Sequence, residues 1–82
     1  MLYSRSVIYS GMTMTAKELG RLVRNRRKEL GMKQGELALV AGTGTRFIGD
    51  LERGKETCVL GKTLKVLANL GIELVVQPKK GA

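Results

Sequence analysis

Apolar residues recur at helical spacing near the start of the chain, in a segment with recognisable helix boundaries. Thr15 and Glu18 stand three residues apart, as in a capping box, where the threonine hydroxyl accepts from a free helical N–H and the glutamate reaches back. Apolar residues such as Val23 then repeat at helical intervals, and Gly31 is the residue type that most often ends a helix. This pattern predicts a first helix over about residues 16–30.

Three shorter segments repeat this arrangement of an apolar face followed by a glycine. The apolar faces consist of Leu37, Ala38 and Ala41 in the second segment, of Phe47, Ile48 and Leu51 in the third, and of Leu60, Leu64, Leu67 and Ala68 in the fourth. The helices predicted from these faces span residues 34–41, 45–53 and 60–70. Together with the first helix they predict an all-α, compact four-helix fold, in which a fifth helix is left open.

A strand is predicted after the fourth helix, because the segment is rich in β-branched residues and ends at Pro78. The predicted strand residues are Ile72, Glu73, Leu74, Val75, Val76 and Gln77. A single strand cannot satisfy its own backbone hydrogen bonds. Its partner is therefore either the segment near Val7-Ile8-Tyr9 of the same chain or the same strand of a second subunit, which implies a symmetric dimer.

These elements divide the chain into three parts. Residues 1–14 form an N-terminal arm that we expect to be flexible, residues 15–71 form the helical domain, and residues 72–82 form the C-terminal strand with a basic tail. A single small domain follows from the length of 82 residues.

The charge of the chain suggests a polyanionic partner. Lys and Arg number 15 against 7 Asp and Glu, which gives a net charge of +8. Residues 1–33 carry eight basic and two acidic residues (+6), residues 34–55 three and three (zero), and residues 56–82 four and two (+2). Nucleic acid is the first candidate. The neutral middle segment would then recognise it by shape and specific contacts, while its neighbours supply the attraction.

The residue types argue against catalysis, metal binding and disulfide formation. The chain has no His and a single Cys, Cys58, so it lacks a general base tuned near neutral pH, a histidine metal ligand and a cysteine-based zinc site. No apolar run is long enough to span a bilayer, and no signal peptide is evident. We expect a cytoplasmic, non-enzymatic protein without cofactor or metal, in which Cys58 is a packing residue.

Residues 33–55, with the sequence KQGELALVAGTGTRFIGDLERGK, have the pattern of a helix-turn-helix, in which a glycine-containing turn joins two short helices. Ala38 is small enough for a close approach of the helices, Gly42 turns the chain, and Ile48 and Leu51 hold the second helix against the first. The pattern resembles the lambda-repressor-like, or Xre, family over about residues 19–71. The resemblance implies a DNA-binding domain whose third helix enters the major groove.

By their position in this family, four residues of the third helix are implied to face the bases: Thr45, Arg46, Gly49 and Asp50. Arg46 can donate two hydrogen bonds to guanine, Thr45 can bond a base edge or a phosphate, and Gly49 would permit a close approach. Three alternatives stand for Asp50. It could accept from a cytosine amino group, pair with Arg46 four residues earlier, or form a solvated surface pair.

The resemblance also implies contacts to DNA phosphates and one structural ion pair. The phosphate contacts are assigned to Lys33, Gln34, Thr43, Gly44, Arg53 and Lys55. Arg27 and Glu52 are implied to form a partly buried ion pair between the first and third helices, which makes Arg27 part of the scaffold rather than a DNA contact.

The C-terminal run ANLGIELVVQPKK is similar to that of HipB-type antitoxins, whose terminal strands pair between subunits. This similarity implies a nucleoid-associated transcriptional repressor that binds a palindromic, double-stranded DNA operator as a homodimer, with a HipA-type kinase toxin as a further partner. Two alternatives stay open. One is a stand-alone phage-type repressor. The other is a helix-turn-helix-derived protein-interaction module without DNA binding, which the zero net charge of residues 34–55 and the acid Asp50 favour.

Overall fold

Four helices and two very short strands make up the described part of the chain. The structure, a computed structural model, describes residues 5–6, 14–76 and 78. In chain order the elements are β1 (Arg5–Ser6), α1 (Ala16–Glu29), α2 (Gln34–Ala41), α3 (Thr45–Glu52), α4 (Leu60–Asn69) and β2 (Ile72–Glu73). Each predicted helix boundary lies within one residue of the observed one, and the all-α, four-helix fold is confirmed. Within the described ranges, no helix is long and apolar enough to cross a membrane.

The start of α1 is held by the predicted capping box. The Glu18 N–H donates to Thr15 Oγ1 at 3.1 Å, and the Thr15 N–H donates to Glu18 Oε1 at 2.8 Å. Two backbone N–H groups that the first turn would leave free are thereby satisfied, which explains why the helix begins at this point in the sequence.

The turn between α2 and α3 depends on a left-handed glycine. Gly42 has φ +71°, a conformation that costs glycine little and other residues more. Its N–H donates to the Leu39 carbonyl at 3.3 Å, and the Thr43 N–H donates to the Ala38 carbonyl at 2.9 Å. This pair of bonds ends α2 and aims the chain directly into α3.

The core is built from one face of each helix. Its buried members are Val23, Leu37, Ala38, Ala41, Ile48, Leu51, Val66, Leu67 and Leu70. The expected packing role of Cys58 fits its position, since this partly buried residue packs against the cluster.

The buried face of α4 differs from the predicted one. Thr63, Val66 and Leu67 point inward, whereas Leu60 and Leu64 are 68% and 43% exposed. Thr63 is accommodated because its hydroxyl donates to the Val59 carbonyl at 3.0 Å. Two leucines assigned to the core by their spacing therefore lie on the surface.

A glycine inside α1 sets how closely this helix approaches α3. A β-carbon at Gly20 would overlap the carbonyl oxygen of Leu51 and lie 2.8 Å from that of Glu52. Only a residue without a side chain fits there, because backbone atoms cannot move aside as a flexible side chain can. This close approach brings Arg27, which lies two turns further along the same side of α1, within reach of the end of α3.

The predicted strand is shorter than expected and has a partner in its own chain. Only Ile72–Glu73 form a strand, which pairs in parallel with Arg5–Ser6. Residues 74–76 are exposed and outside any strand, and Gln77 lies outside the described residues. Residues 5–6, which form this pair, belong to the segment predicted to be a flexible arm, and the flexibility of that arm stays a prediction. The alternative partner near Val7-Ile8-Tyr9 lies outside the described residues, and pairing between subunits stays a prediction.

Candidate nucleic-acid interface

The inner face of α3 is fixed firmly to the rest of the domain. Ile48 is fully buried and Leu51 nearly so, and Phe47 packs against the same core. The ammonium of Lys62 on α4 lies 5.7 Å from the centre of the Phe47 ring, a cation–π distance. The outer face of α3 is therefore presented by a rigid element, which is the geometry that specific recognition requires.

Thr45 and Arg46 occupy the exposed first turn of α3. In the described part of the chain, Arg46 has no hydrogen-bond or ion-pair partner, so its guanidinium is available to a ligand. Thr45 sits beside the start of α2: a β-carbon at Gly35 would lie 3.7 Å from Thr45 Oγ1. Because Gly35 has no side chain, the threonine hydroxyl stays open to the surface between the two helices.

Gly49 and Asp50 are placed differently from what the sequence suggested. Gly49 is buried, and a β-carbon on it would lie 3.3 Å from Arg53 Nη1, so the guanidinium covers this position. Asp50 does not pair with Arg46. Its two oxygens face Arg53 Nη2 at 2.5 Å and Lys55 Nζ at 3.6 Å. The alternative pair with Arg46 is therefore absent, and Asp50 forms a surface ion pair with two residues that follow it in the chain. The contact with a cytosine amino group stays a prediction.

The ends of α1, α2 and α3 meet in a hydrogen-bonded cluster around Glu52. Arg27 donates to Glu52 through Nε at 2.6 Å and through Nη2 at 3.0 Å, in a two-bonded arrangement. The third guanidinium nitrogen of Arg27 donates to the Met32 carbonyl at 2.8 Å. Gln34, which was assigned to a phosphate, donates its side-chain amide to Glu52 Oε1 at 3.0 Å.

The cluster changes the ionisation of both charged members. Burial on its own would raise the pKa of Glu52, but the hydrogen bonds from Arg27 and Gln34, with the positive charges of Arg27 and Arg24, outweigh it and lower that pKa. The hydrogen bond to Glu52 raises the pKa of Arg27 against the opposing effect of burial. The pair is therefore ionised throughout the neutral range and serves as scaffold.

The remaining phosphate candidates surround the free end of α2 and the turn. Lys33 and Gly44 are exposed, and Thr43 is half-buried, with its hydroxyl 3.4 Å from the Gly44 carbonyl. The Lys33 N–H donates to Glu36 at 2.7 Å, so a carboxylate already occupies part of the helix start where a phosphate would approach. Arg53 and Lys55 are exposed and lie just after the C-terminal end of α3.

A basic face on α1 was not predicted, although its spacing is visible in the sequence. The four residues Lys17, Arg21, Arg24 and Lys28 follow one another at intervals of four, three and four, which places them on one side of the helix. All four are exposed and, within the described ranges, none of their side chains forms a hydrogen bond or salt bridge. Arg26 and Arg27 point elsewhere: Arg26 donates to the Leu70 carbonyl at the end of α4 at 2.8 Å.

A model of the family described as helix-turn-helix matches residues 23–70, more than half of the chain. The chain belongs to the helix-turn-helix family. A curated relative from Sinorhizobium fredii (strain NBRC 101917 / NGR234), described as the uncharacterized HTH-type transcriptional regulator y4mF, is 53% identical over 60 residues. That match covers 73% of this chain and 79% of the relative.

Solved structures with the same fold include HipB in complexes. A HipA-HipB-O2-O3 complex contains a chain with a TM-score of 0.74 and 22% identity, covering 84% of this chain and 97% of that one. A HipB-O4 20mer complex gives a TM-score of 0.73 at 22% identity, with the same coverage. The resemblance to the Xre-type helix-turn-helix family and a HipB-like fold are thereby confirmed. This helix-turn-helix protein has the DNA-binding fold of transcriptional regulators, a family without enzymatic activity.

Within the described residues, no group of His, Cys, Asp and Glu is arranged to hold a metal ion. The outer face of α3 offers hydrogen-bonding groups and positive charge, and the helix itself is held in place by its buried inner face.

Proposed function

We propose that this helix-turn-helix protein is a sequence-specific transcriptional repressor that binds a palindromic DNA operator as a homodimer in the cytoplasm. We further propose that it serves as the antitoxin of a HipBA-type toxin–antitoxin system. The observation that carries the first proposal is the exposed, unpaired guanidinium of Arg46 in the first turn of a helix whose inner face is buried. In helix-turn-helix proteins this turn meets base edges in the major groove.

Direct readout falls to Thr45 and Arg46. Arg46 can donate to O6 and N7 of one guanine, and such a contact discriminates against other bases by about 1–3 kcal/mol. Thr45 can bond an adjacent base or offer its methyl group to thymine. Gly49 contributes only if Arg53 leaves the position that it covers. Asp50 can accept from a cytosine once it is released from its cations.

Phosphate contacts surround this centre on both sides. Lys33, Gln34, Thr43 and Gly44 flank the start of α2 and the turn, and Arg53 and Lys55 follow the end of α3. These contacts fix the register of the protein on the duplex without selecting a sequence. Gln34 keeps one amide hydrogen for a phosphate, since an amide nitrogen carries two and Glu52 takes one.

Dimerisation is supported by apolar surface that one chain leaves uncovered. Leu60 and Leu64 are one helical turn apart on α4, Val59 precedes them with 58% exposure, and Val76 is 83% exposed. We propose that residues 72–77 pair with their copies and that these side chains line the interface. A symmetric pair would place two α3 helices about 34–36 Å apart, one turn of DNA.

The antitoxin role is supported by the HipB-like fold, which extends over 84% of this chain in the comparison with the HipA-HipB-O2-O3 complex. The toxin partner would be a HipA-type kinase. The test is capture of the tagged protein from its native cell, with mass spectrometry for proteins and sequencing for DNA. An enriched kinase together with a palindromic fragment supports the full proposal. A palindrome without a kinase leaves a stand-alone repressor.

The DNA-binding proposal is tested by selection from a randomised duplex library, followed by affinity measurements at several salt concentrations. Arg46→Ala is expected to relax the preference at one base position and to cost about 1–3 kcal/mol on the selected sequence. The matched control is Arg21→Ala, which removes the same charge from the exposed face of α1. An Arg46→Ala variant with unchanged preference contradicts the assigned role, and no enrichment by the wild type favours a protein-interaction module.

A further inference from the structure

Asp50 lies on the outward side of α3 yet is only 19% exposed, because two cations cover its carboxylate. Arg53 Nη2 lies 2.5 Å from one oxygen, and Lys55 Nζ lies 3.6 Å from the other. The side chain of Arg53 is itself 71% exposed, and one carboxylate is the only ion-pair partner of its guanidinium within the described residues. It can therefore exchange this partner for another anion.

The same ion pair places Arg53 over the centre of the recognition surface. Side chains on a helix point back toward its start, so Arg53 reaches the residue one turn earlier, Gly49. A β-carbon on Gly49 would lie 3.3 Å from Arg53 Nη1 and 3.9 Å from both Cζ and Nη2. The guanidinium thus occupies the space that the missing side chain leaves, between the first turn of α3 and its end.

We propose that Asp50 is a specificity-determining residue that holds Arg53 over Gly49, away from the DNA phosphates, and releases it to a phosphate where a base amino group takes the place of the guanidinium. This inference rests on the proposed DNA-binding function. When Arg53 moves to a phosphate, the carboxylate loses its strongest partner in a negatively charged groove. A cytosine N4 amino group restores a donor, whereas the acceptor atoms of guanine or thymine repel the carboxylate.

Selection in this arrangement acts by repulsion as well as by attraction. On most sequences the release of Arg53 leaves the carboxylate with only the longer pair to Lys55, so Arg53 stays with Asp50 and non-specific binding is weakened. On a sequence with cytosine at the right position, Arg53 and Lys55 both become available to phosphates. One residue thereby links the reading of a base to the formation of two phosphate contacts.

The experiment compares wild type with Asp50→Asn, a change that removes the charge and keeps the shape. Binding to a 20-base-pair duplex of mixed sequence is measured by fluorescence anisotropy over a range of salt. We expect Asp50→Asn to bind this duplex about 2- to 30-fold more tightly than wild type. This is the range for the loss of two exposed ion pairs that compete with DNA phosphates for Arg53 and Lys55. We also expect the slope of the logarithm of the binding constant against the logarithm of the salt concentration to steepen by up to about 1.8, which is about 0.9 for each additional phosphate that the protein neutralises.

Two control variants separate the role of Asp50 from a general effect of charge. Glu56→Gln removes one negative charge from an exposed residue just beyond Lys55 and, within the described ranges, breaks no hydrogen bond or ion pair. It should change the affinity less than Asp50→Asn. Arg53→Gln tests the released cation: in an Arg53→Gln background, Asp50→Asn should lose most of its effect on affinity. A thermal melt of each variant shows that it is folded.

Base preference provides the second readout. Selection from a randomised duplex library should enrich cytosine at one position with the wild type and adenine at that position with Asp50→Asn, because an amide pairs with adenine N6 and N7. Equal increases in affinity from Asp50→Asn and Glu56→Gln, or the same base enriched by both wild type and Asp50→Asn, would overturn the proposal while DNA binding stands. A wild type that binds no duplex at low salt would overturn the proposed function, and this inference with it.

Discussion

The Glu52 cluster makes a quantitative prediction about stability. Glu52 is 3% exposed and accepts three hydrogen bonds, two from Arg27 and one from Gln34. Glu52→Gln removes the charge and leaves Arg27, whose side chain is 10% exposed, without a counter-ion. Stranding a buried charge in this way costs about 3–5 kcal/mol. A chain of this size has a total unfolding free energy of roughly 4–12 kcal/mol, so the variant should lose at least about a quarter of it.

The assay is urea unfolding followed by circular dichroism, at pH 7 and at lower pH. Folding lowers the pKa of Glu52, so its stabilising contribution is present above the unfolded pKa near 4.5 and is lost as the pH falls through the lower folded value. Wild type should therefore weaken more than Glu52→Gln as the pH falls below about 4.5.

Matched variants show whether the buried pair is the cause. Glu56→Gln removes the same charge at an exposed position and should change stability by less than about 0.5 kcal/mol. The double variant Arg27→Met, Glu52→Leu removes both charges and should recover a large part of the loss, because apolar residues can replace a buried pair. A loss below about 1 kcal/mol for Glu52→Gln, with wild-type pH dependence, would refute the role assigned to the pair.

Three further predictions concern packing and assembly. Gly20→Ala should lower the unfolding free energy by about 1–3 kcal/mol in urea titrations, because its methyl group would meet backbone oxygen atoms. Gly61→Ala, where nothing lies within 4 Å of the added carbon, should raise the unfolding free energy by up to about 1 kcal/mol. Equal effects of the two substitutions would refute the close approach of α1 to α3. Leu60→Glu should give monomers in analytical ultracentrifugation at concentrations where wild type forms the proposed dimer, and an intact Leu60→Glu dimer would show that α4 is not part of the interface. Arg26→Met should cost about 1–3 kcal/mol in thermal or urea unfolding through the lost bond to the Leu70 carbonyl, and no loss would show that this bond does not stabilise the end of α4.

Local features of the sequence determined where the helices begin and end. The Thr15–Glu18 capping box and Gly42 act through atoms only a few residues away, so their effect can be read without knowing the fold. The same holds for the apolar spacing of Ile48 and Leu51, which turns one side of α3 inward.

Only the tertiary structure decided which side of α4 is covered and which cations Asp50 meets. Leu60 and Leu64 follow helical spacing as well as Val66 does, but α4 is rotated so that Thr63 is buried in their place. Asp50 lies four residues after Arg46, an interval that permits an ion pair within a helix, yet it pairs with Arg53 and Lys55 instead. Nothing in the sequence around Gly20 indicates that the α3 backbone lies against it. These outcomes depend on contacts between segments that are distant in the sequence, and the spacing of residues along the chain does not show which of these contacts form.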